Sequence, residues 1–181
     1  MAVDLSGRTC LVTGASSGIG LETARGLARL GARVLLVGRS AKRLDAARAD
    51  IARTGNTVEP ETYVADLASQ RAVRGLAADV AARHDRLHVL VNNAGVIART
   101  RTITEDGLEL QLAVNHLAPF LLTHLLLGRL RAAEGARIVN VASAVETLGR
   151  INFADLGSES RYDANAAYCQ SKLANVMFTY E

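Results

Sequence analysis

Short apolar runs recur along the chain and alternate with longer amphipathic stretches. Five of these runs are rich in Val, Leu and Ile almost throughout, which predicts β-strands buried on both faces. The predicted strands are Thr9–Gly14, Arg33–Arg39, Glu61–Asp66, Leu87–Gly95 and Ala136–Ser143. Strands of this kind belong to the interior of a sheet that other elements cover on both sides.

The stretches between the strands carry apolar residues at helical spacing. The predicted helices are Ile19–Leu30, Ala41–Arg53, Ser69–His84, a long one from Glu105 to Ala133, and a last one that begins near Ala164. Pro119 is expected to kink or divide the long helix. Regular strand–helix alternation implies right-handed crossovers. The predicted fold is therefore an α/β doubly wound parallel sheet with helices on both faces, formed by a single domain over residues 1–181.

The composition is that of an ordinary folded protein, with 49% hydrophobic and 22% charged residues. The net charge is only +3 and the basic residues are scattered, which argues against a nucleic-acid or membrane footprint and favours a small anionic ligand. Cys10 and Cys169 are far apart in apolar surroundings, which predicts reduced, intracellular thiols. No signal or anchor pattern is seen, and the apolar run Leu117–Leu127 is too short for a membrane span. We therefore expect a cytoplasmic protein.

A glycine-rich turn, TGASSGIG at Thr13–Gly20, joins the first predicted strand to the first predicted helix. Gly14 would allow the tight turn, Gly18 would let the backbone approach a pyrophosphate, and Gly20 would permit close helix–strand packing. The helix N-terminus would offer N–H groups and a partial positive charge to the phosphates. A structural turn can also require glycine, but the strand before and the helix after favour a dinucleotide site.

The end of the second predicted strand indicates which dinucleotide is bound. An Asp or Glu at this place would bind the ribose 2′-hydroxyl of NAD. The chain has Arg39 there, with Lys42 and Arg43 close behind. A guanidinium can pair with a 2′-phosphate that a carboxylate would repel, so NADP is predicted over NAD. Solvated charges at the start of a helix would give the same pattern.

Tyr168 and Lys172 stand four residues apart in the last predicted helix, which places both side chains on one face. Alone, this pattern fits an ordinary helix surface equally well. No metal site and no nucleophilic triad are predicted, because the histidines show no ligand spacing. They are interpreted as surface or core residues: His84, His88, His116 and His124.

Five motifs in order along the chain together resemble the short-chain dehydrogenases/reductases. They are Gly14-Ala15-Ser16-Ser17-Gly18-Ile19-Gly20, Asn92-Asn93-Ala94-Gly95, Asn115, Ser143 and Tyr168-x-x-x-Lys172. The stretch from Gly149 to Asn175 is similar to the retinol-dehydrogenase-like branch, which also has a long insertion between the serine and the tyrosine. The resemblance implies a Rossmann-like strand order of 3-2-1-4-5. It also implies an NADP(H)-dependent oxidoreductase that interconverts an alcohol and a carbonyl on an apolar small molecule.

The resemblance assigns a catalytic role to four residues. Tyr168 would exchange a proton with the substrate oxygen, and Lys172 would stabilise the phenolate, since an isolated phenol has a pKa of about 10. Ser143 would orient the substrate oxygen. Asn115 would hold a water that links the lysine to solvent.

The resemblance also implies the residues around the cofactor. Asn93, Ala94 and Gly95 would form a wall of small residues beside it, and Lys172 would contact the nicotinamide ribose. Ser16, Ser17 and Ile19 would accompany the glycines of the turn. Asp66 and Leu67 would contact adenine, although Asp-Leu fits a helix cap equally well.

A non-catalytic dinucleotide-binding regulator of the same fold is the alternative, and the intact serine, tyrosine and lysine argue against it. Members of the family continue beyond the helix of Tyr168, so we expect these 181 residues to be part of a longer polypeptide, with C-terminal strands missing; a truncated, inactive product is the other explanation. The fifth strand would then have an unpaired edge, and this piece alone is expected to keep the cofactor site, to show negligible turnover and to aggregate. A homo-oligomer of the full-length protein is left open.

Overall fold

The computed structural model describes residues 3–53 and 58–180, and within them five parallel strands form one sheet. The strands are β1 Thr9–Thr13, β2 Arg33–Gly38, β3 Glu61–Val64, β4 Val89–Asn92 and β5 Arg137–Asn140. Their spatial order is β3-β2-β1-β4-β5. The predicted doubly wound sheet and its strand order are both confirmed.

Helices connect the strands and cover the sheet. They are α1 Gly18–Arg29, α2 Ala41–Ala52, α3 Gln70–Arg83, α4 Leu110–Leu112, a π-helical turn Ala113–Leu117, α5 Ala118–Arg131, a 3₁₀ helix Ala144–Leu148, and α6 Ala164–Tyr180. The predicted start of the last helix at Ala164 is therefore confirmed. The other predicted helices, the long one excepted, differ by one residue or so at either end.

Both faces of the sheet are buried in separate hydrophobic clusters, because alternate residues of a strand point to opposite sides. In β1, Leu11 packs with residues of α3 and α5, whereas Cys10 and Val12 pack with residues of α1 and α2. In β2, Leu35 and Val34 divide between the two clusters in the same way. This is why these strands are apolar at every position.

Strand β5 departs from the prediction that all five strands are buried on both faces. Ile138 and Val139 are 39% and 46% exposed. Strand β5 lies at the edge of the sheet and pairs with β4 alone among the residues that the structure describes. An apolar run in the sequence indicates what a strand can bury, and its place in the sheet decides what is buried.

The long helix was predicted to begin at Glu105, and this is wrong. Residues 102–109 form a tight turn instead. In this turn Thr104 N donates to the Leu108 carbonyl, and Gly107 N donates to the Thr104 carbonyl. The helix begins at Leu110, and the Glu109 carboxylate accepts from the first backbone N–H groups. Turn chemistry at Gly107, whose φ is +76°, outweighs the helical spacing of its apolar neighbours.

Pro119 was predicted to kink or divide the long helix, and it does not divide it: the π-helical turn Ala113–Leu117 interrupts the regular pattern before the proline, and α5 carries Pro119 in its first turn. The continuous helix Leu110–Arg131 has 22 residues, more than the apolar run considered in the sequence. Its length and composition would suit a membrane span, and among the described residues no other helix does. More than half of its most apolar window is buried inside the protein, as in core helices of soluble proteins.

Candidate functional site

A cavity of about 550 Å³ lies beyond the carboxyl ends of β1, β2, β3 and β4. Its walls contain Gly14, Ser16, Ser17, Ile19, Gly20, Val37, Gly38, Arg39, Ser40, Arg43, Ala65, Asp66, Leu67, Asn93, Ala94, Gly95, Val96 and Val114. Every residue predicted to bind the cofactor is in this set except Gly18 and Lys172. The loops after parallel strands meet at one edge of the sheet, which is why distant motifs converge here.

The glycine turn has the geometry that the sequence predicted for two of its glycines. Gly14 has a φ of +68°, and a Cβ there would lie 2.9 Å from Asn93 Nδ2. A Cβ on Gly20 would overlap the Gly14 carbonyl, so the first turn of α1 can approach β1 only with glycine at that position. Gly18, the first residue of α1, has open space in front of it although it does not line the cavity.

The N-terminus of α1 is capped differently from those of α2 and α3. Ser40 and Ser69 cap the latter two helices, and their hydroxyls accept hydrogen bonds from Arg43 N and Ala72 N. Ser17 occupies the same position on α1 but makes no side-chain cap, and the first turn of α1 carries no acidic residue. Among the described residues no side chain caps the first N–H groups of α1, beside the cavity that Ser17, Ile19 and Gly20 line, which suits an anionic ligand.

Two arginines border the cavity beyond β2. Arg39 is exposed, and its side chain makes no ion pair or hydrogen bond with any residue that the structure describes. Arg43 is one turn further on, in α2. Ser40 lies between them and was missed in the sequence, although a serine directly after the arginine and before a helix indicates a cap. The group of cations is available to a ligand.

Asp66 and Leu67 both line the cavity, so the predicted contact with adenine stays a prediction, and neither residue caps α3. The Asp66 carboxylate accepts a hydrogen bond of 3.0 Å from Ala68 N, and the Asp66 carbonyl accepts one from Ser69 N. The side chain thus shapes the turn before α3, while Ser69 is the residue that caps the helix. Leu67 is buried.

Thr13 holds the wall of small residues after β4. Its hydroxyl accepts hydrogen bonds of 3.0 Å from both Asn93 N and Ala94 N, and Asn93 Nδ2 donates to the Thr13 carbonyl at 2.8 Å. Thr13 was not singled out in the sequence. A buried polar residue at the end of an apolar strand is the signal that could have found it.

Gly95 brings the far end of the cavity against two of the predicted catalytic residues. A Cβ on Gly95 would lie 3.4 Å from Asn115 Oδ1 and 3.5 Å from Lys172 Nζ. A Cβ there would stand in van der Waals contact with both groups. The small residue therefore lets the cavity adjoin Asn115 and Lys172, although Lys172 itself does not line it.

Asn115 lies in the π-helical turn and is fully buried. Its Oδ1 accepts from Val96 N at 2.8 Å, and its Nδ2 donates to the Val96 carbonyl and to Ser171 Oγ, both at 3.0 Å. Ser171 Oγ in turn donates to the Tyr168 carbonyl at 2.7 Å. Asn115 therefore joins the loop after β4 to the helix that carries Tyr168.

Tyr168 and Lys172 lie on one face of α6, as their spacing predicted. The Lys172 ammonium is 5.6 Å from the centroid of the Tyr168 ring and donates to the Val141 carbonyl at 2.9 Å. The lysine is only 4% exposed, and this burial lowers its pKa from the ordinary value. A cation is thus held beside the tyrosine, and no carboxylate of residues 3–53 or 58–180 pairs with it.

Ser143 follows shortly after Val141, the residue that accepts from Lys172. It begins the 3₁₀ helix Ala144–Leu148 and makes no side-chain hydrogen bond to that helix. The helix packs against α6, and a Cβ on Gly149 would lie 2.7 Å from the Cys169 carbonyl. The structure therefore places Ser143 in the segment that joins β5 to α6.

The histidines do not take part in the cavity. His84 contacts Glu61 and Tyr63 near the amino end of β3, and His88 Nδ1 accepts from Thr9 N at 3.0 Å. His116 contacts Asn175, and His124 is exposed. Over residues 3–53 and 58–180, no cluster of three or more His, Cys, Asp or Glu could hold a metal ion.

The sequence matches the model of the short chain dehydrogenase family over residues 8–181. Retinol dehydrogenase 11 from Mus musculus is 47% identical over 182 residues, which cover 99% of this chain and 57% of that protein. Retinol dehydrogenase 12 from Bos taurus is 45% identical over 179 residues, with 99% and 57% covered. The chain therefore spans little more than half the length of the curated relatives that it matches.

Solved structures give the same picture. A crystal structure of an uncharacterised protein from Mycobacterium paratuberculosis has a TM-score of 0.85 and 40% identity, and the match covers 98% of this chain and 62% of that one. A metagenomic short-chain oxidoreductase in complex with NADP has a TM-score of 0.78 and 34% identity, covering 97% and 75%. The predicted resemblance, including its retinol-dehydrogenase-like branch, is confirmed.

Proposed function

The chain belongs to the short-chain dehydrogenase family, and on that premise we propose that it is an NADP(H)-dependent oxidoreductase that interconverts an alcohol and a carbonyl on an apolar small molecule. The observation that carries the proposal is the buried Lys172 ammonium, which lies 5.6 Å from the centroid of the Tyr168 ring and has no acidic partner in the part of the chain that the structure describes. A structural helix surface has no need of a desolvated cation beside a tyrosine.

Tyr168 acts as the proton donor in the reducing direction and as the acceptor in the oxidising direction. An isolated phenol has a pKa of about 10 and is a poor base at neutral pH. The Lys172 charge stabilises the phenolate, and burial strengthens that interaction because less water screens it. Ser143 donates a hydrogen bond that orients the substrate oxygen. A nicotinamide dinucleotide held in the cavity would supply or accept the hydride.

The cavity fits such a cofactor. The uncapped N-terminus of α1 offers N–H groups to a pyrophosphate, and the small residues Ala94 and Gly95 leave room beside it. Arg39 and Arg43 offer guanidinium groups to a 2′-phosphate, which favours NADP. The NADP complex of the metagenomic relative supports this choice.

The apolar substrate is proposed from the segment between Ser143 and Tyr168. Leu148 and Phe153 are 77% and 78% exposed in that segment, so apolar surface is exposed in a segment whose 3₁₀ helix packs against α6. The names of the retinol dehydrogenase relatives point the same way. Cytoplasmic location, a single domain and the oligomeric state of the whole protein stay predictions.

The test is to express the protein from its complete gene and to follow the oxidation of NADPH and NADH with a panel of apolar and polar aldehydes and ketones. Turnover with NADPH and an apolar carbonyl is expected. Lys172→Ala should weaken cofactor binding and lower turnover together, because the lysine serves both the ribose and the phenolate. Tight NADPH binding without turnover of any carbonyl or alcohol would favour the dinucleotide-binding regulator instead.

A further inference from the structure

The π-helical turn has a cause in the sequence two residues beyond it. In a straight α-helix the carbonyl of Asn115 would accept from the N–H of residue 119. That residue is Pro119, which has no N–H and whose ring would clash with the same carbonyl. The helix responds by lengthening its hydrogen-bond step, so that Ala118 N donates to the Ala113 carbonyl five residues back.

Asn175 on α6 supplies the donor that Pro119 lacks. Its Nδ2 donates to the Asn115 carbonyl at 2.7 Å, and the side chain is 2% exposed. Its Oδ1 lies 3.2 Å from His116 Nδ1. Since the amide oxygen can only accept, His116 carries its proton on Nδ1 and holds the Asn175 amide in the orientation that serves Asn115.

The position of the Asn115 side chain depends on the register of this turn. In its present register it reaches Val96 on one side and Ser171 on the other. Residues of an α-helix are about 100° apart around the axis, so a change of register by one residue would turn Asn115 away from both partners.

We propose that Asn175 is a positioning residue, which replaces the missing N–H of Pro119 and thereby holds Asn115 in register beside Lys172 and the Tyr168 helix. This inference rests on the proposed function, because a displaced Asn115 affects turnover only if those residues perform the chemistry. His116 supports the same arrangement by orienting the Asn175 amide.

The first test compares Asn175→Leu with Asn165→Leu in the protein expressed from its complete gene. Both replacements remove an asparagine from α6, but Asn165 is exposed in its first turn. Asn175→Leu should lower kcat by about ten- to a hundred-fold, the effect expected of a small displacement in an active site. The Kd and KM for NADPH should stay near those of the wild type, and Asn165→Leu should change neither.

A double-mutant cycle with Pro119→Ala distinguishes positioning from simple packing. Alanine restores an N–H at position 119, so the Asn115 carbonyl no longer depends on Asn175. The effect of Asn175→Leu on kcat should therefore be much smaller in the Pro119→Ala background than in the wild type. A crystal structure of Asn175→Leu should show the Asn115–Ser171 hydrogen bond broken. Asn175→Ala, which adds no bulk, serves in its place if the leucine variant does not fold.

Additive effects of the two replacements on kcat would overturn the inference, as would parallel losses of kcat and NADPH affinity. An intact Asn115–Ser171 hydrogen bond in the variant structure would overturn it too. Failure of the proposed function is recognised separately. In that case Tyr168→Phe would leave turnover unchanged, whatever Asn175 does.

Discussion

The proposed nucleotide half of the molecule, Thr9–Leu67, and the proposed proton-transfer half, Asn93–Asn175, share one sheet but hold their polar groups differently. In the first half, the key contacts are local, such as Ser40 to Arg43 and Asp66 to Ala68, three and two residues apart. In the second half, Asn115 bonds to Ser171 and to Asn175, 56 and 60 residues away. Contacts such as these can form within one turn and a helix end, although Thr13 also bonds to Asn93 and Ala94, whereas the contacts of Asn115 require packed helices.

The two halves also treat charge differently. Arg39 is exposed and able to meet a charged ligand at the surface. Lys172 is buried, bonded to the Val141 carbonyl, and has its pKa lowered by burial. Burying a charge costs free energy of desolvation, and functional sites are where such buried charges shift the pKa values of neighbouring groups. An exposed charge suffices for binding, and a buried one suits catalysis.

The largest expected effect is the loss of turnover in Tyr168→Phe, which tests chemistry in the second half separately from cofactor binding in the first. Tyr168→Phe removes only the transferable proton, so turnover should fall by about 10²–10⁴-fold. Cofactor binding should change by no more than a few-fold. Stopped-flow turnover and NADPH titration measure the two, and Tyr180→Phe, at an 87% exposed tyrosine of the same helix, is the control. Retention of most turnover in Tyr168→Phe would remove the proposed role.

The next effect tests the exposed charge of the first half. Arg39→Asp removes a cation and adds a repulsive charge near the 2′-phosphate, so preference should shift from NADPH towards NADH. A hydrogen bond to a charged group contributes roughly 1.5–3 kcal/mol, which corresponds to a shift of about ten- to a hundred-fold. Titration of both cofactors measures it.

Arg71→Asp is the control for this shift, since that side chain is 89% exposed on α3 and does not line the cavity. It makes the same change of charge and should leave the preference unaltered. Equal affinities of the wild type for NADH and NADPH would contradict the assignment.

Two glycines of α1 test whether the turn of the first half is tightly packed. A Cβ on Gly20 would meet the Gly14 carbonyl, whereas a Cβ on Gly26 would meet nothing within 4 Å. Gly20→Ala should therefore lower the free energy of unfolding by roughly 1–3 kcal/mol and weaken cofactor binding. Gly26→Ala should raise stability by about 0.5–1 kcal/mol, because glycine is a poor helix former. Urea unfolding of both variants decides it, and equal effects would mean that the turn tolerates a side chain.

The smallest effect is a dependence of stability on pH that comes from the buried thiol of Cys10 in β1. Burial raises the pKa of the Cys10 thiol from 9.0 to about 11. The unfolded thiol ionises first, so folding stability contributed by the neutral thiol should be lost as the pH rises from about 9 through 11. Cys10→Val should flatten this part of the stability–pH curve. Burial also raises the pKa of Tyr63 from 10.0 to about 12, so a decline above about pH 10 should remain. A wild-type curve that is already flat from pH 8 to 10 would contradict the assignment.

Much of the candidate site was predictable because its signals are local or stand at strand ends. Arg39, Asn93–Gly95 and most of the glycine turn were predicted from the sequence and line the cavity, and the predicted Tyr168 lies beside Lys172 on α6. The sequence missed Thr13, Ser171 and Asn175, whose side chains hold the predicted residues in place. A threonine, a serine or an asparagine has no distinctive spacing, so its partner shows only in three dimensions.

By itself, the sequence determined the strands and helices and their order along the chain. Apolar residues recur at one spacing in helices and at another in strands, because each spacing keeps side chains on the buried face. It also determined that Pro119 disturbs the long helix. Only the tertiary structure decided that the disturbance is a π-helical turn, that Asn175 replaces the missing donor, and that the apolar strand β5 lies exposed at an edge. Each of these depends on what packs beside the residue, and contacts between residues far apart in the chain have no periodic trace in the sequence.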